Sequence, residues 1–128
     1  MPIIDHVGLK VTDLDRSAQF YKELFGFEEL ERRTIGKDVD TVALKVGTSL
    51  LFLLYHPTYQ AHDPASLSGG DHFSISFDGG EWERVTARAR AMGVPITRDH
   101  PRVLGATGWG PCLYVLDPDG NEVEIKHA

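Results

Sequence analysis

Hydrophobic and polar positions alternate strictly in two places along the chain, and both times the alternation opens with an Asp-His dipeptide. The first run is Asp5-His6-Val7-Gly8-Leu9-Lys10-Val11 and the second is Asp71-His72-Phe73-Ser74-Ile75-Ser76-Phe77. A period of two marks a half-buried strand. Each run leads into a stretch with helical periodicity. In the first, Thr12 or Asp13 can cap the helix, Leu14, Ala18, Tyr21 and Phe25 form an apolar stripe, and Gly26 ends it. In the second, Trp82, Val85, Ala89 and Met92 make the stripe and Gly93 ends it. His6 precedes Gly26 by 20 residues and His72 precedes Gly93 by 21. Such agreement in spacing identifies an internal repeat.

Three short strand-like runs follow each helix: 27–31, 41–46 and 49–55 in the first copy, and 95–98, 112–116 and 122–126 in the second. Turns fall at Val46-Gly47-Thr48 and at Asp117-Pro118-Asp119-Gly120. The pattern predicts an α+β chain of two tandem βαβββ modules in a single domain. Module one spans about residues 1–56 and module two about 71–128. A segment at 57–70, rich in proline, serine and glycine, links them.

Parity places the polar residues. Val7, Leu9, Val11, Phe73, Ile75 and Phe77 must face the apolar stripes of the helices, so His6 and His72 share the opposite faces of their strands. On the last strand Val123 and Ile125 take the helix side, which leaves Glu122 and Glu124 with the histidines. Two imidazoles and a carboxylate suit a first-row divalent ion and leave coordination positions open. An antiparallel sheet can also keep one wet face on which His and Glu are simply solvated. For any one of these residues alone that is the better account. The repeat favours metal, because both histidines stand at corresponding positions.

Composition narrows the partners. A net charge of −6, with no cluster of lysine and arginine, argues against nucleic acid and leaves a small-molecule substrate as the expected partner. No run of about 18 apolar residues exists to span a membrane. The opening MPIIDHVGLK reads as neither a signal nor a transit peptide. Cys112 is the only cysteine, which excludes an intrachain disulfide and points to a reducing cytoplasm.

Several motifs together resemble the vicinal-oxygen-chelate superfamily, the glyoxalase/bleomycin resistance protein/dioxygenase group. They are Asp5-His6-Val7; Val11-Thr12-Asp13-Leu14-Asp15-Arg16-Ser17 leading to Phe20-Tyr21 and Leu24-Phe25-Gly26-Phe27; Asp71-His72; and the run from Tyr114 through Asp117-Pro118-Asp119-Gly120-Asn121 to Glu124. The resemblance covers nearly the whole chain, and the closing motif is its most specific part. It implies paired modules forming a cupped mixed sheet with helices on the outer face, and a metal held by His6, His72 and Glu124. Glu124 is selected over Glu122 because the family's ligand stands four residues after the glycine of the turn. It also implies a homodimer.

The family's fourth ligand position falls near Phe52, in Ser49-Leu50-Leu51-Phe52-Leu53-Leu54-Tyr55-His56, which has no carboxylate or amide. Glyoxalase I enzymes carry Glu or Gln on that strand, so the departure turns the reading toward the three-ligand branches. His56 shares parity with Phe52 and is a lesser candidate ligand. Extradiol dioxygenases hold Fe(II), and fosfomycin thiol transferases Mn(II), with His, His and Glu. Iron or manganese is therefore favoured, with zinc or nickel possible. Tyr114 aligns with a substrate-contacting tyrosine of the transferases and is the candidate catalytic residue, whereas Gly8 stands where those transferases have threonine. Arg98 and Arg102 are candidates for an anionic substrate, and His100 and Glu122 for acid–base work, by position only. The loop 99–111, with Trp109 and five prolines and glycines, is expected to cover the site or to pack at a dimer contact. The leading reading is a metal-dependent enzyme whose small substrate chelates through vicinal oxygens, with an extradiol-dioxygenase-like site. Its alternatives are a metal-free drug-sequestering protein and a fosfomycin-type thiol transferase.

Overall fold

The computed structural model of the chain describes residues 2–35, 39–61 and 71–128. It divides into two compact units, Met1–Gln60 and Ala61–Ala128. The division falls inside the segment 57–70 read as a linker, of which 62–70 lies outside the described residues.

The first unit runs β1 (His6–Val11), α1 (Leu14–Phe25), β2 (Glu28–Ile35), β3 (Val39–Val46) and β4 (Ser49–Tyr55). Its sheet has the order β1-β4-β3-β2, with β1 parallel to β4 and the other pairs antiparallel. The second unit runs β5 (Phe73–Phe77), α2 (Gly79–Ala91), β6 (Ile96–Gly105), β7 (Gly108–Leu116) and β8 (Glu122–His127). Its order, β5-β8-β7-β6, and its strand directions repeat those of the first. The duplicated βαβββ module is therefore real, and the fold is α+β.

The helix ends follow their capping chemistry. Asp13 caps α1 by accepting the Arg16 N–H at 3.0 Å, and Gly26 closes it at φ 73°, donating to the Lys22 carbonyl. Asp78 caps α2, and Gly93 adopts φ 69° just beyond its end. On α1 the buried face is Ser17, Ala18, Tyr21, Leu24 and Phe25, closed by Val42, Leu44, Leu51 and Leu53 from the sheet. On α2 it is Val85, Thr86 and Ala89, against a sheet face that includes Ile75, Leu113, Val115, Val123 and Ile125. Leu14 on α1, and Trp82 and Met92 at the ends of the α2 stripe, are only half-buried.

One expected loop is not a loop. Residues 99–111 belong to the hairpin β6–β7, closed by the Gly105–Gly108 pair around Ala106-Thr107. Pro101 and Gly105 are accommodated on β6, the sheet edge, with register shifts between Ile96 and Arg98 and between His100 and Val103, while Gly108, Gly110 and Pro111 lie on the outer part of β7, before the residues Cys112–Leu116 that pair with β8. Edge strands and bulges tolerate such residues because fewer ladder hydrogen bonds are lost there. No helix among the described residues is long and apolar enough to cross a membrane.

Candidate metal centre

In the second module the non-helical face of the sheet is polar, exposed at Ser74 and Ser76 of β5 but buried along β7 and β8. Glu122, Glu124, Tyr114 and Lys126 are all buried, and Cys112 is fully so. The alternative account, of simply solvated carboxylates, does not hold for Glu122 and Glu124. A buried carboxylate is costly unless its oxygens find partners, and each of these two has found different ones. Glu122 accepts from Arg98 at 2.7 Å and from the Thr97 hydroxyl at 2.7 Å. Glu124 lies 3.1 Å from Nε2 of His72.

The register explains the convergence. Tyr114 pairs with Glu124 across β7–β8, so both side chains emerge on one face. The Tyr114 hydroxyl lies 3.4 Å from the same Nε2, with the two rings edge to face at 4.9 Å. The tight turn before β8 sets that register: Asp117 accepts the N–H groups of Asp119 and Asn121 at 3.0 and 2.8 Å, and Gly120 takes φ 84°.

The other nitrogen of His72, Nδ1, sits 2.6 Å from Asp71. Both faces of the ring thus meet carboxylate oxygen. A neutral imidazole carries one N–H and can satisfy only one of them, so the second is met either by a proton on the ring or by a metal ion. A metal ligand arranged in this way has Nδ1–H held by Asp71 and Nε2 free for an ion shared with Glu124. Nε2 of His72 and the Glu124 carboxylate, 3.1 Å apart, would offer one nitrogen and one oxygen donor to such an ion. The donor set fits a divalent ion.

The first module presents its own histidine in the same way. His6 Nδ1 lies 2.6 Å from Asp5, and its ring meets Phe52 edge to face at 5.1 Å. Phe52 therefore packs against His6 and contributes no ligand atom. His56 does not help either. It follows β4, and its N–H bonds Val11 at the far end of β1, whereas His6 pairs with Leu50 at the near end. At about 3.3 Å per residue the two are separated by most of a strand's length.

A different trio, Asp71, His72 and Glu122, also brings ligand atoms within 4.8 Å of one another. Glu122 is held by two strong donors and Asp71 by Nδ1 of His72, so an ion there must break bonds already made. An ion between His72 and Glu124 displaces only the contacts at Nε2 and leaves the bonds of Glu122 and Asp71 in place.

The sequence matches the Glyoxalase/Bleomycin resistance protein/Dioxygenase superfamily over residues 3–125. The chain belongs to this superfamily. It is similar to a lactoylglutathione lyase of Arabidopsis thaliana, 30% identical over 125 residues that cover 94% of this chain and 42% of that protein. A catechol-2,3-dioxygenase of Bacillus subtilis is 31% identical over 124 residues, covering 94% of this chain and 40% of that protein. The chain thus spans less than half the length of these curated relatives. Among solved structures, a glyoxylase/bleomycin resistance protein/dioxygenase domain from Frankia sp. EAN1pec matches with a TM-score of 0.81 at 24% identity, over 100% of this chain and 98% of that one. That likeness shows the fold.

Asp5 and Asp71 are functional candidates that the superfamily's ligand pattern did not single out. Their signal was in plain view, because the repeated unit is Asp-His rather than His alone. Arg98, a candidate for an anionic substrate by position, takes a bracing place instead. Its guanidinium lies 4.0 Å over the Tyr114 ring, bonds Glu122 and stands 3.8 Å from Asp71, so it braces three neighbours of His72. Its hydrogen bond to Glu122 in turn raises the pKa of this cation. Arg102, the other candidate for an anionic substrate, stacks on exposed Trp109 at 4.7 Å.

Burial, reinforced by the charge of Glu124, pushes the Tyr114 phenol up to about 12, so at neutral pH it is a hydrogen-bond donor and not a base. The same two causes push Cys112 up to about 11 from 9.0. Two units reduce the thiolate fraction at pH 8 about a hundredfold. Native protein is therefore expected to react with Ellman's reagent at least about a hundredfold more slowly than urea-unfolded protein. Equal rates would show that Cys112 is open to solvent.

Proposed function

We propose that the chain is a divalent-metal-dependent enzyme acting on a small substrate that chelates the ion through two adjacent oxygens, with His6, His72 and Glu124 as the protein ligands. The observation that carries the reading is the imidazole of His72, set between Asp71 at Nδ1 and buried Glu124 at Nε2. His6, paired with Asp5 in the same manner, supplies the third ligand. Three ligands without a fourth from β4 favour an extradiol-dioxygenase-like site, with iron or manganese ahead of zinc or nickel. A homodimer and a cytoplasmic setting belong to the same proposal.

When bound, the ion supplies Lewis acidity and a template for the substrate oxygens. The chain's own residues do the rest. Asp5 and Asp71 hold each imidazole in the tautomer that exposes Nε2. Tyr114, protonated and buried beside His72, donates a hydrogen bond to a substrate oxygen. Glu122 is committed to Arg98 and acts as a brace, not as the proton acceptor. The engagement of Arg98 and Arg102 also weakens the thiol-transferase alternative, which requires a free cationic pocket.

The test is to reconstitute the purified protein with Fe(II) or Mn(II) under nitrogen, measure bound metal, and then supply catechols with oxygen. About one ion per chain and oxygen uptake dependent on the catechol are expected. Protein that retains no metal at any stage of reconstitution overturns the proposal.

A further inference from the structure

We infer that the first module carries a subsite for one uncharged apolar group the size of an aromatic ring, on the same sheet face as His6. The inference deepens the metal-enzyme reading and rests on it only for what happens to the bound molecule. Its origin is a row of side chains across the sheet. Gly8 pairs with Phe52, Phe52 with Ala43, and Ala43 with Glu31. Ala43, with only a methyl group, leaves a hollow between two larger neighbours. The β-bulge between Glu29 and Glu31 places Leu30 at the rim of the same hollow, as bulges re-aim side chains. Leu50 and Phe52 complete the apolar wall.

The recess has a volume of about 140 Å³. A cavity of about 150 Å³ lined by Leu, Ile and Phe accepts benzene, so the space matches one ring. Its charge is settled by its own rim. The charged lining residues, Glu31 and Arg33, pair with each other at 3.5 Å. The Thr41 hydroxyl already donates to the Arg33 carbonyl at 3.1 Å. Among the described residues the only charges at the lining are thus an exposed, mutually paired carboxylate and guanidinium, which favour neither sign of ligand, while apolar burial is rewarded. Position ties the recess to the metal reading. Leu50 is the cross-strand partner of His6 and Phe52 touches its ring, so a group seated here lies beside a proposed ligand.

The experiment uses the full chain stripped of metal with EDTA, titrated with 4-fluorobenzyl alcohol, 4-fluorobenzoate or 4-fluorobenzylamine and followed by fluorine NMR. The neutral alcohol is expected to bind at least about tenfold more tightly than either charged analogue. Ala43→Leu fills the hollow and should weaken the alcohol by about tenfold or more. Leu30→Lys, at an exposed rim position, should weaken the alcohol and improve the benzoate, and it covers the case in which Ala43→Leu disturbs folding by circular dichroism. A charged analogue binding as tightly as the alcohol overturns the inference. So does unchanged affinity for the alcohol in folded Ala43→Leu and Leu30→Lys. Because no metal is present in these titrations, their failure is separable from a failure of metal binding.

Discussion

Replacing His72 with alanine is expected to lower affinity for Fe(II) or Mn(II) at least about a hundredfold, measured by competition with a chromophoric chelator. Loss of an outer partner alone costs about tenfold to a hundredfold, and His72→Ala removes a proposed ligand and leaves Glu124 buried without its partner 3.1 Å away. Asp71→Asn should fall in the smaller range, because it leaves Nε2 in place and disturbs only the tautomer. Two further variants locate the carboxylate. Glu124→Gln should match His72→Ala, while Glu122→Gln should leave affinity nearly intact, since Glu122 is occupied by Arg98 and Thr97. The reverse result would move the centre to the Asp71–His72–Glu122 trio.

Leu24→Ala is expected to destabilise the protein by about 2–5 kcal/mol, the range for truncating a fully buried leucine that leaves a cavity. Leu24 has no exposed surface and lies on the inward face of α1, the helix that packs on β2, β3 and β4. Urea unfolding followed by far-ultraviolet circular dichroism measures the loss. Both tryptophans, Trp82 and Trp109, belong to the second module, so fluorescence reports that module by itself. A dichroism midpoint equal to that of the unaltered chain would refute the assignment of Leu24 to the core.

The fold was legible because its signals are local. Strand alternation, helical stripes, Asp13 and Gly26 at the ends of α1, and the Asp117–Gly120 turn each act within a few residues, and their repetition along the chain revealed the module. Parity alone put His6, His72, Glu122 and Glu124 on the faces away from the helices. Where local signals conflicted, the reading went astray. Pro101, Gly105, Gly108, Gly110 and Pro111 suggested a loop, but the outer part of the β6–β7 hairpin, beyond the residues that pair with β8, absorbs them, and only the pairing of β6 with β7 could show it.

The sequence by itself thus determined the duplicated βαβββ architecture and the short list of polar residues that could hold an ion. Tertiary structure decided among them. Glu122 and Glu124 have the same parity and the same burial, and nothing local separates them. Cross-strand register does, giving one to Arg98 and Thr97 and the other to a histidine 52 residues away. It also removed His56 by strand length and opened a ring-sized hollow over Ala43. The reason is physical: periodicity tells a side chain which face to take, but its partners are chosen by the neighbouring strand, whose alignment is fixed by packing and turns far along the chain.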